Sequence, residues 1–161
     1  MLKLGKLADY GTMIVTVLAA EPERTYSAHD LALRTHVAAP TVSKLLKVLT
    51  KSGLVESLRG SRGGYRLVRS PDAITVADVI AAIDGPIGLT ECSVHKGDCA
   101  VEATCGVRGN WRLLNTAIHQ ALKSVTLADM ARPLRRPHAS RETVLSFLGV
   151  SSRGPEGRGI P

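Results

Sequence analysis

The stretch PTVSKLLKVLTKSGLVESLRGSRGGYRLV, residues 40–68, decides the fold. Pro40 suits the first turn of a helix, where a missing backbone N–H loses no hydrogen bond. Val42, Leu45, Leu46 and Leu49 then recur at helical spacing and make one apolar face. Gly53 falls where a left-handed helix end belongs. Residues 54–68 read as two short strands around the basic, glycine-rich tip Arg59-Gly60-Ser61-Arg62-Gly63-Gly64. Upstream, Ser27 can cap a short helix that carries Leu31 and Ala32 inward, and a break over residues 35–38 follows. Two short helices about a tight break, the second with a basic outer face, read as a helix-turn-helix. A hairpin directly after them reads as a wing. The expectation is a mainly α fold with a small β-hairpin wing, a winged helix-turn-helix.

Working outward, Leu4, Leu7, Ala8, Gly11, Ile14, Val15 and Leu18 predict an amphipathic helix over residues 4–20, ended by the segment that contains Pro22. After the wing, Ser70-Pro71-Asp72 turns the chain. Thr75 starts a helix with Val76, Val79, Ile80 and Ile83 on one side, and Asp78 completes a box-like start. Gly85 and Pro86 stop it. Residues 88–106 show no sustained periodicity and read as a loop. From Val107 a longer helix begins, with Val107, Trp111, Leu114, Ile118, Leu122 and Val125 spaced close to the 3.5-residue repeat of paired helices. A small winged helix has little surface to bury such a seam, so Trp111, Leu114, Ile118 and Leu122 predict a homodimer. Thr126 and Asp129 repeat the capping arrangement for a last short helix ending near Met130. Beyond Arg132, Pro, Gly, Ser and Arg dominate, which predicts a mobile basic tail with one short apolar patch at residues 144–148. The expected organisation is residues 1–85 as the winged helix-turn-helix, 86–106 as a cysteine loop, 107–132 as the dimerisation helix with its short terminal helix, and 133–161 as the tail.

The chain has 161 residues and a mass of 17.1 kDa, the size of one domain or one domain with an appendage. Apolar residues are 44% of it, enough for a core and too many for wholesale disorder. Lys and Arg number 21 against 14 Asp and Glu, a net charge of +7. That excess is local: residues 34–69 hold eight basic side chains and one acid, Glu56, and the rest of the chain cancels. A concentrated basic stretch points to a polyanion, nucleic acid before membrane. The longest nearly apolar run, residues 13–20, is far too short to span a bilayer, and no leader pattern precedes the first helix. A cytoplasmic protein is expected.

With Val42, Leu45, Leu46 and Leu49 inward, the helical period turns Thr41, Ser43, Lys44, Lys47 and Lys51 outward. Lysines reach phosphates, while Thr, Ser and Lys reach base edges in a major groove. Pro40 opens this helix beside the same groove. Arg59 and Arg62 on the wing carry guanidiniums suited to a narrow minor groove. The expected partner is a double-stranded DNA operator. His29 and His36 read as surface or capping residues, with a phosphate contact or a metal site across a dimer as the alternative for His36. No phosphate-binding P-loop, HExxH, GxSxG or placed carboxylate pair points to an enzyme.

All three cysteines, Cys92, Cys99 and Cys105, lie within fourteen residues. An odd number clustered in one loop argues against a disulfide framework. Zinc ribbons and fingers use at least one pair two to four residues apart, and this loop has none. Wide, even spacing in a glycine-containing loop suits thiolates around a larger object, such as an iron–sulfur cluster. Zinc, and a thiol redox switch, are the alternatives.

The opening helix, PTVSKLLKVLTKSGLVES, RGSRGGYRL, TVADVIAAIDG, the three-cysteine loop and TLADM together resemble the dimeric winged-helix iron–sulfur regulators of bacteria, the IscR, NsrR and RirA group. The resemblance covers about residues 1–132. GPIGLTEC and WRLLNTAIHQALKSVTLADM look most like the members associated with SUF-type cluster assembly genes. It implies a transcriptional regulator, a repressor in expectation, whose operator binding is tuned by a cluster on Cys92, Cys99 and Cys105, either 2Fe–2S or 4Fe–4S. A nitric-oxide or iron-responsive regulator of the same fold, or a constitutive zinc-containing DNA-binding protein, is the alternative. One departure stands out. The IscR pattern has a histidine three residues after the last cysteine, where this chain has Arg108, and arginine has no lone pair to donate. His95 and Glu91 are candidate fourth ligands within the loop. The resemblance to NsrR-like regulators adds Asp9, from the first helix of the other subunit.

Overall fold

In the computed structural model the described residues are 4–60, 63–95, 97 and 99–132. Helix α1 (Lys6–Ala20) is the central element. One face of it, Ile14, Val15 and Leu18, is fully buried. The helix starts at Lys6 and not at Leu4, because Leu4 and Gly5 precede the first turn and Leu4 stays exposed. Helix α2 (Ala28–Thr35) is capped by Ser27, whose hydroxyl accepts the Asp30 N–H while the Asp30 carboxylate takes the Ser27 N–H. His36 ends α2 in the left-handed region, φ 55°, and fixes the break before helix α3 (Ala39–Lys51). The apolar face of α3 is the one its spacing predicts, with Val42, Leu45, Leu46 and Leu49 all buried.

Gly53 follows α3 at φ 74° and turns the chain into strand β1 (Val55–Leu58), which pairs antiparallel with β2 (Gly64–Leu67) in the register Val55–Leu67 to Leu58–Gly64. The wing has a third, single-residue member. Tyr26 bridges Tyr65 through two backbone hydrogen bonds of 3.0 and 2.8 Å. The bridge ties the start of the helix-turn-helix directly to the wing. The tip residues Ser61 and Arg62 lie outside the described residues, as does the tail of residues 133–161 with its apolar patch.

A single 3-10 turn at Pro71–Ala73 leads to helix α4 (Val76–Asp84), which packs on α1. The segment after α4 contains a helical turn that periodicity does not announce, α5 (Glu91–Val94), too short for a repeat to show. Helix α6 (Arg108–Lys123) has no buried residue. Its far end returns to the domain: the Val76 N–H donates to the Val125 carbonyl and the Leu127 N–H to the Ile74 carbonyl, each at 2.9 Å. Helix α7 (Leu127–Ala131) then docks on α1, with Leu127 fully buried in the main core.

Candidate nucleic-acid interface and cysteine loop

The basic stretch divides into two sets once its partners are known. Arg34 lies over the Tyr26 ring at 5.0 Å, as Arg24 does at 4.8 Å, and is 3.8 Å from Glu21. Arg66 pairs with Glu56 across the wing at 2.6 Å, and Arg69 donates to the Ala73 carbonyl at 3.3 Å. These three cations are engaged within the fold. Lys44, Lys47, Lys51 and Arg59 are exposed and have no ion-pair partner among the described residues. Pro40 is exposed at the start of α3, whereas Thr41 and Ser43 are half-buried along its flank. Arg62 lies outside the described residues. The unpaired charge is thus concentrated on the outer face of α3 and on the wing, where phosphates reward it most.

The cysteine loop is tied to α6 at both ends. Near its start, the Asn115 side chain takes the Leu89 N–H and donates to the Ile87 carbonyl, at 3.2 and 3.3 Å. Near its end, the Glu102 carboxylate accepts the Gly97 N–H at 2.5 Å and pairs with the Arg108 guanidinium. Glu102 is only 8% exposed. Cys92 is buried on α5 with its sulfur 3.3 Å from the Thr90 hydroxyl, and Cys99 and Cys105 are half-buried. All three are free thiols.

That donor chemistry suits an iron–sulfur cluster: three thiols in one loop, none in a disulfide. Arg108 Nε, buried and without a hydrogen-bond partner among the described residues, is a donor suited to an anionic sulfur. Among the described residues, however, no three His, Cys, Asp or Glu side chains are gathered as a metal site. His95 is exposed at the end of α5, and Glu91 is exposed at its start.

Asp9 is exposed on α1 and lines a cavity of about 320 Å³ with Met13, Val17, Arg34 and Met130. Gly11 faces the interior with the apolar positions of α1, against Ile83 and Leu45. On α6, Trp111 and Leu114 are exposed and Ile118 is half-buried. Leu122 packs toward its own chain, against the small cluster of Ala8, Val76 and Ile80.

The family described as "Rrf2: Iron-dependent Transcriptional regulator" matches residues 4–133. The chain belongs to the Rrf2 family. It is a DNA-binding transcriptional regulator, and the relatives it matches are non-enzymatic regulators. Protein rrf2 of Nitratidesulfovibrio vulgaris is 32% identical over 132 residues, 81% of this chain and 88% of that protein. The regulator IscR of Vibrio cholerae is 37% identical over 101 residues, 63% of this chain and 58% of that one. Among solved structures, CymR (YrzC), the global cysteine regulator of B. subtilis, superposes with a TM-score of 0.66 at 33% identity, covering 81% of this chain and 97% of that one. T. potens IscR gives a TM-score of 0.61 at 34% identity, covering 80% and 85%. The Rrf2 winged-helix fold is therefore the fold expected from residues 40–68. Among the described residues no helix is long and apolar enough to cross a membrane.

Sequence reasoning missed three parts of this Rrf2 site: the Tyr26 bridge that braces the wing, the Asn115 clamp, and the pairing of Glu102 with Arg108. In the sequence Arg108 stands out only as a departure from the IscR pattern. Its partner lies in a stretch without periodicity, where no pattern marks a buried carboxylate.

Proposed function

We propose that this Rrf2 regulator acts as a cytoplasmic homodimer whose operator binding is controlled by an iron–sulfur cluster held through Cys92, Cys99 and Cys105, and that its targets include SUF-type cluster assembly genes. The observation that carries this reading is the placement of three free thiols in the loop that joins the winged helix to α6, the helix without a buried residue. When bound, a cluster supplies a redox- and iron-responsive charge at that junction. The protein's part is mechanical. The loop is clamped to α6 at residues 87–89 and at Arg108, and α6 returns to the winged helix at Val125 and Leu127. A change in the shape of the loop is thereby carried to the element that sets the spacing of two DNA-binding heads. Pro40, Thr41, Ser43, Lys44 and Lys47 would meet the major groove and Arg59 and Arg62 the minor groove.

A second reading takes its support from the same three free thiols: the cysteines could act as a redox switch without metal. Protein purified without oxygen separates the two. Brown material with iron and sulfide counts near a whole cluster per chain, lost in each Cys→Ala variant, supports the cluster. Colourless protein whose operator affinity responds to thiol oxidation supports the switch, and colourless zinc-containing protein supports a structural metal instead.

A further inference from the structure

We infer that Glu102 is a positioning residue for the cysteine loop, acting through Arg108. One carboxylate joins the loop at Gly97 to the start of α6 at Arg108. Its Oε2 accepts the N–H of Gly97, which lies between Cys92 and Cys99, and its Oε1 forms an ion pair, without hydrogen-bond geometry, with the guanidinium of Arg108, the first residue of α6. The Glu102 N–H also donates to the Cys99 carbonyl at 3.0 Å, and the Arg108 N–H to the Cys105 carbonyl at 3.4 Å. The backbones of two of the three cysteines are therefore bonded to the two members of this ion pair.

A carboxylate that is 8% exposed needs a fixed counter-charge, and arginine is cationic at every working pH. The resemblance places a ligand histidine in other members where Arg108 stands. Here the position carries no lone pair, and its side chain instead anchors a carboxylate inside the loop. A metal-ligating role at this position is replaced by a charge pair that spaces Cys99 and Cys105. The buried Nε of Arg108, without a partner among the described residues, is held by the same pair on the loop side of α6. Cys92 stands outside this network, since Thr90 and α5 position it.

This inference rests on the cysteine loop being the sensing site, and its test separates the two claims. In the full-length, metal-free, reduced protein, alkylation by iodoacetamide is followed at each cysteine by mass spectrometry. Glu102→Gln and Arg108→Met should each raise the rates at Cys99 and Cys105 roughly ten-fold by local opening, with Cys92 and the urea unfolding midpoint little changed. A Glu102→Leu, Arg108→Met double variant, which leaves no stranded charge, should fall well short of the product of the single effects, and Arg108→Lys should restore part of the protection. After anaerobic addition of iron and sulfide, the single variants should also show an altered visible circular dichroism spectrum. Unchanged rates at Cys99 and Cys105, or equal rises at all three cysteines with a lowered midpoint, would overturn the positioning role. A wild-type chain that takes up no iron overturns the cluster reading and leaves the alkylation result to decide this one.

Discussion

Asp78 closes the first turn of α4 with three short contacts. Its carboxylate accepts the Thr75 N–H and hydroxyl at 2.9 and 2.8 Å, and its own N–H donates to Thr75 Oγ1 at 3.2 Å. Burial alone would push this carboxyl up, but those hydrogen bonds, with Arg69 and Lys123 nearby, outweigh it and hold the carboxyl below its ordinary value. A lowered folded-state value means that the stabilisation is complete above the ordinary carboxylate range and is lost as pH falls through the lowered value. Asp78→Ala should therefore lower stability by about 1 kcal/mol at neutral pH, and the gap from wild type should narrow below about pH 4, as read by urea unfolding. Gly64 is constrained differently. It sits at φ 153° with the Tyr26 backbone so close that a Cβ would lie 2.7 Å from the Tyr26 oxygen. Gly64→Ala should cost more than about 1 kcal/mol and loosen the bridge to Tyr65, seen as faster amide exchange at Tyr65.

Helix α3 and the wing carry the charges left free once Arg34, Arg66 and Arg69 are engaged by the fold. Their roles should differ. On the proposed interface Lys44 and Lys47 dock on phosphates, so Lys44→Ala and Lys47→Ala should each lower affinity for all duplexes alike and flatten the log–log salt dependence by about 1. Arg59→Ala should instead weaken discrimination between operators that differ in minor-groove width, with a smaller change in the salt slope. Equal, sequence-independent losses from all three would remove this division. The elements themselves were legible because their information is local. The apolar faces of α1, α3 and α4 and the Thr75–Asp78 and Thr126–Asp129 boxes each lie within a few residues of chain. What was not legible depends on distant pairing. Tyr26 meets Tyr65 across 39 residues, and Asn115 reaches Leu89 across 26. Spacing also cannot say whose core a residue enters, and so Leu122, in register with Trp111 and Leu114, turns toward its own chain.

At the scale of the whole molecule, α6 and Asp9 pose one question, since the proposed homodimer gives each of them its role. Leu114 is 49% exposed and α6 has no buried residue, so charged substitutions there should spare the fold of the single chain. Leu114→Glu with Ile118→Glu should give a folded monomer by sedimentation, with unchanged far-UV circular dichroism and no specific operator binding. A stable dimer from that variant would remove α6 as the interface. Asp9 takes the argument further. It lies exposed on α1 beside Arg34 and Met130. In the proposed homodimer it is the candidate that the resemblance supplies for the fourth ligand, from the first helix of the other subunit. A hard carboxylate oxygen binds iron more weakly than thiolate does, which makes it the ligand most easily exchanged. Asp9→Ala should then keep the iron and sulfide content but shift the visible spectrum and speed oxidation in air, whereas each cysteine variant should lose most of the iron. The monomeric Leu114→Glu, Ile118→Glu variant supplies the deciding comparison. If Asp9 acts across the dimer, this monomeric variant and its Asp9→Ala derivative should have the same spectrum. An Asp9→Ala spectrum identical to wild type in the dimer would return the fourth position to His95, His36 or a small molecule.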